Sequence, residues 1–595
     1  MHLLLRPIFR QSHPNFINVC TAYTSEIWAQ LTKKSSHKIK YKKIPRGHRS
    51  KQEEIIMRLL DSELNNKEQW EKAEIRLPQF DRQAMKEATK KTPQWVHFGA
   101  GNIFRAFPAA LQQKLLNEGI EKTGIIVAEG YDYEIIKKAY RPQDDLSLLV
   151  TLKANGTIEK TVIGSLAESL TVDRHDAEDW GRLKEIFASD TLQMVSFTIT
   201  EKGYSITSPD GAFRADVKAD FEAGPENADS YIGKLAALCY WRYTNGAAPL
   251  ALVSMDNCSH NGDKLFAAVD AYAKAWTENG KAEKGFLEYI ENPAKVSFPW
   301  SMIDKITPRP DASVKKMLED CGFTDTESIV TTKNTYVAPF VNAEEAQYLV
   351  IENAFPNGRP ALENAGVMFT SRETVEKVER MKVCTCLNPL HTALAVYGCL
   401  LGYTKISDEM KDADLVKLVE IIGYKEGLPV VTDPGILSPK KFIDEVLQIR
   451  VPNPFMPDTP QRISCDTSQK LSIRFGETIK EYMASPDLDV KSLKFIPMVQ
   501  AGWCRYLLGV DDELNAFTVS PDPMYEELAG KLAGVKVGES CDVHAVLAPI
   551  LSNAKIFGVD LYEAGLGEYV ESIFAELIAG KGAVRETLKK HLAEA

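Results

Sequence analysis

The chain has 595 residues, of which 44% are hydrophobic and 26% charged, and its formal net charge is -11. A chain of this length predicts more than one domain, each with a substantial core. The acidic balance argues against a nucleic-acid partner. No apolar run reaches the roughly 18 residues that a membrane-spanning helix needs. We therefore expect a cytoplasmic protein with no nucleic-acid and no membrane partner.

The ten cysteines are scattered along the chain without the spacing of metal ligands. Cys384 and Cys386 are separated by one residue rather than two, and spaced histidines follow no cysteine pair. In so long a chain this pattern indicates reduced thiols rather than a disulfide framework. We expect no metal.

Residues 1–56 differ in composition from the rest of the chain. Nine lysines or arginines and no acid lie between Lys33 and Lys51. One interpretation is an arm that binds nucleic acid or an anionic membrane. The other is a solvated, disordered extension, with Met57 as the working start. We favour the disordered extension, because Ser, His and Pro interrupt the basic run and no apolar face accompanies it.

A strand, a glycine turn and a helix are predicted in succession at residues 94–116. The strand 94–98 enters Gly99-Ala100-Gly101, and residues 106–116 have helical spacing. This order is the context that a dinucleotide-binding turn requires. Gly99 would allow the tight turn, and Gly101 would let the backbone approach a pyrophosphate at the helix N-terminus. The fingerprint is incomplete, since Phe104 stands where a third glycine is usual.

A second strand, 124–129, ends in an acidic residue, Glu129. An acid at this point of the fold binds the ribose hydroxyls of the adenosine, which favours NAD over its phosphorylated form. NADP remains the alternative, and Asp132 competes with Glu129 for the role.

Strand-like and helical runs then alternate, which predicts a largely parallel sheet with helices on both faces. The strand-like runs are 148–150, 194–199 and 250–255, and the helical runs between them include 179–187 and 231–240. Asp256 and Asn257 follow the last of these strands, where open α/β sheets bind ligands. We expect the polar run 297–308 to line the same cleft.

Helical periodicity dominates beyond residue 371, and strand signals fade. The sequence thus predicts an α/β protein with two domains after the extension. Residues 57–370 would form a Rossmann-type domain with a lead-in helix and a mostly parallel sheet. Residues 371–595 would form a mostly α-helical domain, with the cleft between the two.

The segment 380–402 gathers a lysine, an amide and an imidazole. Asn388 suits an N-cap, Pro389 the first helical position and Gly402 the C-terminal stop. His391 would then lie in the first turn, where it could help to hold a developing oxyanion together with Lys382. The alternative is that Asn388 only caps, His391 is a surface histidine and Lys382 is solvated.

These motifs together resemble the mannitol dehydrogenase family, the polyol-specific long-chain dehydrogenases, which also includes hexuronate reductases. The resemblance runs from about residue 96 to 479. It rests on Gly99-Ala100-Gly101 with Arg105, the run 196–204, Ser254-Met255-Asp256-Asn257 with Asn261-Gly262, the run 303–308, Pro339-Phe340, Asn357-Gly358-Arg359-Pro360 and Asn388-x-x-His391. It implies a Rossmann-type domain, a helical domain, NAD(H) or NADP(H), and no metal.

The resemblance also implies roles for individual residues. The family's catalytic lysine, asparagine and histidine fall on Lys382, Asn388 and His391, and a proton-passing glutamate falls on Glu379. The cofactor-binding set would be Gly99, Gly101, Asn102, Ile103, Arg105, Glu129 and Asp256. The substrate-binding set would be Asp256, Asn257, Arg462 and Lys470.

The sequence departs from the family pattern in one place. Five residues separate Lys382 from Asn388, where many members have four. Either the segment bulges by one residue or another group does the work. Asn388-Pro389-Leu390-His391 also replaces the usual Asn-Gly-Ser-His, a change that suggests a different substrate.

We expect an NAD(H)-dependent oxidoreductase that interconverts a secondary alcohol and its ketone, with D-mannonate and D-fructuronate as the first choice of substrate pair. The alternatives are a mannitol or arabinitol 2-dehydrogenase and a tagaturonate reductase. A non-catalytic sugar- or NAD-binding protein on the same scaffold is the competing class. Lys382 argues against it, because a binding protein needs no proton-transfer lysine. We expect a monomer or a small homo-oligomer.

Overall fold

The computed structural model describes residues 56–310 and 312–595, so the predicted basic extension lies outside the described residues apart from Ile56. The described chain contains fifteen strands. They are β1 (Ile75–Arg76), β2 (Trp95–Phe98), β3 (Ile125–Glu129), β4 (Ser147–Leu152), β5 (Ile158–Ile163), β6 (Leu166–Thr171), β7 (Met194–Phe197), β8 (Leu250–Ser254), β9 (Val296–Ser297), β10 (Ser301–Asp304), β11 (Ile329–Val330), β12 (Tyr336–Val337), β13 (Phe340–Glu344), β14 (Tyr348–Glu352) and β15 (Met368–Thr370).

The central sheet has six parallel strands in the order β6-β3-β2-β7-β8-β9. Successive side chains of a strand enter different cores: Val96 and Phe98 pack with the helices that cover one face, while Trp95 packs on the other face. Because both faces are covered, its strands are rich in apolar residues rather than strictly alternating, although polar residues such as His97, Glu168 and Ser196 interrupt them. The predicted Rossmann-type parallel sheet is confirmed.

Three smaller sheets were not predicted, although residues 148–150 of β4 were predicted as a strand. Their strand orders are β1-β5-β4-β13, β10-β14-β15 and β11-β12. Several of these strands have only two to four residues, too few for a period of two to stand out in a sequence. They matter for the site, because β10 ends at Asp304 and β13 ends at Glu344.

The α-helices alternate with the strands in the first half of the chain and are the main regular elements of residues 371–595. They span Lys67–Lys72, Arg82–Lys91, Asn102–Ala106, Pro108–Asn117, Ala177–Ala188, Ala215–Ala223, Tyr231–Thr244, Asn261–Glu278, Lys284–Glu291, Ala312–Asp320, Arg372–Arg380, Asn388–Leu400, Ile406–Glu409, Ala413–Glu420, Pro439–Glu445, Pro460–Ile463, Glu477–Ala484, Phe495–Tyr506, Tyr525–Leu532, Val543–Leu551, Ala554–Phe557, Gly567–Leu577 and Ala583–Ala593.

Residues 371–595, all of which the structure describes, contain no strand. Their core packs around the helix Asn388–Leu400, which is buried on nearly every side. The helical stretch 372–400 is long and apolar enough to cross a membrane by length and composition alone. Yet 83% of its most apolar window is buried inside the protein. It is therefore the core helix of this part of the fold. The domain boundary at residue 370 stays a prediction.

Glu409, at the end of the helix Ile406–Glu409, is fully buried, and neither carboxyl oxygen has a hydrogen-bond partner among the described residues. Burial raises its pKa to about 9, and the nearby Asp412 adds to this effect. The group is therefore neutral in the folded protein near pH 7 but ionised in the unfolded chain. Folding binds a proton there, so stability falls as pH rises from about 4.5 to about 9.

We expect the Glu409→Gln variant to be more stable than the parent by about 3 kcal/mol at pH 7, because it removes this proton uptake. Thermal unfolding between pH 4 and 9 measures the effect, and the gap in melting temperature should widen with pH. Glu426→Gln is the matched control. The Glu426 carboxylate accepts three backbone N–H groups at residues 494–496, so its replacement should destabilise the protein. Equal changes in melting temperature for Glu409→Gln and Glu426→Gln would contradict this account.

Candidate active site

Lys382 lies in a π-helical segment, Met381–Cys386, between the helices Arg372–Arg380 and Asn388–Leu400. A π-helical turn holds one more residue than an α-helical turn and often occurs at functional sites. It thus accommodates the fifth residue between Lys382 and Asn388 without a loop. This turn agrees with the first of the two alternatives, a bulge of one residue, while the role of Lys382 stays a prediction.

The predicted N-cap of the helix Asn388–Leu400 is wrong by one residue. Leu387 occupies the cap position, and Asn388 is the first residue of the helix, with no side-chain cap bond at this end. The reason is that the chain before Leu387 is already helical, so no extended residue precedes the helix. The end is predicted correctly: the helix stops at Leu400, and Gly402 has a φ of +78°.

Two cavities meet at Lys382. The first, of about 210 Å³, is lined by Lys382, Asn388 and His391, and its other walls include Asn257, Asp304, Arg450, Asn453, Asp458 and Arg462. The second, of about 220 Å³, is lined by Glu379, Asp256, Asn257 and Ser301 together with Lys382 and Asn388. Asn257, Lys382 and Asn388 thus face both cavities, while Glu379 faces only the second.

The Lys382 amine lies 2.9 Å from Asp304 Oδ1, and both side chains are about 95% buried. Arg450 donates to both oxygens of Asp304 and, through Nε and Nη2, to Glu344 at 3.1 and 2.8 Å. Burial alone would raise the pKa of Asp304, but Lys382 and Arg450 hold it at about 2. Asp304 is therefore a permanent anion beside the amine.

His391 and Asn388 present polar side chains to the first cavity without a hydrogen bond to any group of the described chain. Burial lowers the pKa of His391 to about 4. Arg450, Arg474 and Arg462 act in the same direction, against Asp458. The imidazole is therefore neutral near pH 7 and can donate a hydrogen bond without carrying charge.

Only one of the two predicted basic substrate residues reaches a cavity. Arg462 lines the first cavity and forms an ion pair with Asp458. Lys470 lines neither, and its amine donates to the carbonyl oxygen of Cys465 at 2.5 Å.

Asp256 supports the backbone beside the second cavity. Its carboxylate accepts hydrogen bonds from the N–H groups of Ile199 and Thr200, both at 2.9 Å, and from the Tyr204 hydroxyl at 2.5 Å. Its oxygens are thus engaged with the residues that follow β7. The neighbouring Asn257 is exposed and faces both cavities, which makes it the freer of the two side chains for a ligand.

The glycine turn has the geometry of a dinucleotide cradle. Gly99 has a φ of +108°, and a Cβ atom there would lie 2.4 Å from the carbonyl oxygen of Thr198. Gly101 has no such neighbour: a Cβ atom would point into open space with nothing within 4 Å. That space beside the helix Asn102–Ala106 is where a pyrophosphate would approach the backbone, so the turn fits a dinucleotide.

Arg105 and Glu129 face inward rather than towards this space. Arg105 is buried and donates to the Ala338 carbonyl and to Asn102 Oδ1, while Ile103 beside it stays partly exposed. Glu129 is also buried, and its oxygens accept the N–H groups of Ala100, Tyr131 and Asp132. The carboxylate thus holds the two loops together, and its role towards a ribose stays a prediction.

Sequence reasoning missed the charged partners of Lys382. Asp304 belongs to the run 303–308 that carried the family resemblance, and that motif could have identified it. Glu344 and Arg450 carry no local signal, because they are 106 residues apart in sequence and meet only in the fold.

The parallel sheet, the glycine turn and the lysine in the π-helical turn together indicate a Rossmann-type dehydrogenase. Two family models match the chain: the mannitol dehydrogenase Rossmann domain at residues 93–364 and the mannitol dehydrogenase C-terminal domain at residues 374–577. The chain belongs to the mannitol dehydrogenase family.

Three comparisons illustrate the relationship. The D-mannonate oxidoreductase of Thermotoga maritima is 53% identical over 90% of this chain and 99% of its own length. A substrate-free D-sorbitol dehydrogenase is 27% identical over 86% of this chain and 97% of its own, with a TM-score of 0.71. The Pseudomonas fluorescens mannitol 2-dehydrogenase, solved with NAD and D-mannitol, is 26% identical over 88% of this chain and 97% of its own, with a TM-score of 0.61.

We expect Gly101→Ala to fold normally but to bind NADH about tenfold or more weakly, because the added methyl group occupies the space into which a pyrophosphate would come. NADH fluorescence titration measures the dissociation constant, and thermal unfolding measures the fold. The matched control is Gly99→Ala, which should lower the melting temperature instead, since its Cβ meets the Thr198 carbonyl. Unchanged NADH affinity in Gly101→Ala would contradict the predicted cofactor site.

Proposed function

We propose that this protein is an NAD(H)-dependent oxidoreductase that interconverts D-mannonate and D-fructuronate. The observation that carries the proposal is the meeting of Lys382, Asn388 and His391 on one cavity. Membership in the mannitol dehydrogenase family supports dehydrogenase chemistry at that cavity. The 53% identity to a D-mannonate oxidoreductase, over nearly the whole of that protein, supports the choice of substrate.

When bound, the nicotinamide cofactor supplies the hydride for ketone reduction and accepts it in alcohol oxidation. The Gly99–Gly101 turn holds the pyrophosphate of the cofactor through its backbone, with no side chain in between. A P. fluorescens relative was solved with NAD, which supports NAD as the cofactor here.

Lys382 moves the proton. In reduction its amine donates a proton to the carbonyl oxygen of the substrate, and in oxidation it takes the proton from the hydroxyl group. Asn388 donates a hydrogen bond to the same oxygen, and the neutral His391 donates a second. Glu379, on the second cavity, exchanges the proton of Lys382 with solvent.

Asp304 fixes the position of the Lys382 amine during this exchange. Arg450 holds this carboxylate in turn and is itself held by Glu344, so the amine has an anionic partner with a fixed position. The substrate-side residues in this proposal are Asn257 and Arg462, which line the first cavity. We further propose that the protein works in the cytoplasm as a monomer or a small homo-oligomer.

The test is a steady-state assay of NADH oxidation with D-fructuronate, D-tagaturonate and D-fructose, repeated with NADPH for the best substrate. We expect a preference for fructuronate of about 100-fold in kcat/KM, which corresponds to about 2.7 kcal/mol. A preference for fructose would make the protein a mannitol 2-dehydrogenase with the same proton-transfer groups. No activity with any of the three would favour a binding protein on the same scaffold.

We expect Lys382→Met to lower kcat on the order of 1,000-fold with little change in NADH affinity, because the proton-transfer group is lost while the turn at Gly99–Gly101 is untouched. Single-turnover kinetics and NADH titration measure the two effects. The matched control is Lys305→Met. Lys305 adjoins Asp304 and burial lowers its pKa to about 8, but it lines neither cavity. A larger loss of kcat in Lys305→Met than in Lys382→Met would indicate that Lys305, rather than Lys382, transfers the proton.

A further inference from the structure

The positive charges that line the first cavity are neutralised within the protein. Lys382 pairs with Asp304, Arg450 pairs with Asp304 and Glu344, and Arg462 pairs with Asp458. None of these three cations therefore contributes an unbalanced charge to the site. A substrate that carries a carboxylate needs a positive charge from somewhere else.

Two cations beside the site have no such partner. Lys470 and Arg474 lie four residues apart on one helical turn, and neither has a carboxylate within ion-pair distance in the described chain. Burial lowers the pKa of both, that of Arg474 to about 10, and the charge of Arg474 lowers the pKa of Lys470 further. Asp466 and Asp522 offset part of this effect at Lys470 without forming an ion pair with it. Two neighbouring like charges with no paired carboxylate are unfavourable, and an anionic ligand would relieve the repulsion.

The side chain of Arg474 is held in place, but only part of its hydrogen-bonding capacity is used. Its Nη1 donates to the Thr392 hydroxyl at 2.6 Å, and Thr392 in turn donates to the carbonyl oxygen of Asn388 at 2.9 Å. Nε and Nη2 donate to no group of the described chain, yet they are not sealed from solvent. The guanidinium therefore has a fixed position next to Asn388 and free donors for a carboxylate.

The position of Arg474 is also close to the reacting groups. Thr392 follows His391 directly in the helix Asn388–Leu400, and Thr392 lies one helical turn beyond Asn388. Residues four apart share one face of a helix. Arg474 thus sits beside the first turn of this helix, where Asn388 and His391 face the first cavity. Lys470, by contrast, has its amine engaged by the Cys465 carbonyl.

We propose that Arg474 is the specificity-determining residue that recognises the carboxylate of a sugar-acid substrate. This inference rests on the proposed function and deepens it. The guanidinium binds the carboxylate through its free N–H groups, and the neighbouring Lys470 adds positive charge. A neutral ketose of the same length lacks the group that Arg474 recognises, so it gains nothing from this side chain.

The test compares Arg474→Gln with the parent on D-fructuronate and on D-fructose. We expect kcat/KM for fructuronate to fall about 100-fold, mainly through KM, because a charge-assisted contact is lost. The value for fructose should change by less than about threefold. Arg474→Lys should lose about tenfold on fructuronate, since it keeps the charge but not the planar fork. If Arg474→Gln does not fold, the KM of Arg474→Lys for fructuronate provides the test instead.

The matched control is Arg380→Gln, which removes one positive charge from a residue already paired with Glu477 at 3.1 Å. It should leave kcat/KM for both substrates within about threefold of the parent. Equal losses on fructuronate and fructose in the Arg474 variants would mean that Arg474 only supports the helix, and would overturn the inference. An unchanged KM for fructuronate would overturn it as well. A parent without fructuronate reduction would overturn the proposed function itself.

Discussion

The buried charge cluster around Asp304 is the constraint on which the site depends. Its carboxylates end β10 and β13, while its cations, Lys382 and Arg450, come from the helical half of the chain. Removing one member of a buried ion pair leaves an uncompensated charge and typically costs about 3–5 kcal/mol. The cluster therefore holds the two halves of the cleft in one relative position. The Lys382 amine sits at that position, between the two cavities.

The charged and the neutral groups of the cleft have different roles in the proposed mechanism. The buried contact with Asp304 fixes the position of the Lys382 amine, which suits the proton transfer proposed for it. In the proposed mechanism Asn388 and the neutral His391 donate to the substrate oxygen, and their side chains have no competing hydrogen-bond partner within the described chain. A neutral donor is useful there because no counter-ion has to be displaced before it can donate a hydrogen bond to the substrate. The unbalanced positive charge that a substrate carboxylate would need therefore has to come from outside the paired set, as proposed for Arg474.

On the cofactor side, the sequence motifs predicted where the site lies in the fold but not which contacts each side chain makes. Glu129 and Asp256 stand at strand ends where a dinucleotide and a substrate are bound in this kind of fold. Both carboxylates instead accept backbone N–H groups of neighbouring loops. Their effect is to shape the turn and the loop after β7, so that the backbone itself forms the cradle. Gly101 is the position where this matters, because only a missing side chain leaves the space open.

The sequence by itself determined the parallel sheet, the glycine turn, the helical second half and the set of Lys382, Asn388 and His391. Those features are encoded locally, in apolar runs, in glycines with a required geometry and in short motifs. The tertiary structure alone decided the ion pairs that Asp304 forms with Lys382 and Arg450, the inward direction of Glu129 and, within the described residues, the lack of a carboxylate within ion-pair distance of Arg474. It also decided that Asn388 follows a π-helical turn rather than capping a helix. The physical reason is that charge compensation and burial depend on residues far apart in sequence, such as Glu344 and Arg450, which are 106 positions apart. Such contacts leave no periodic trace in the chain.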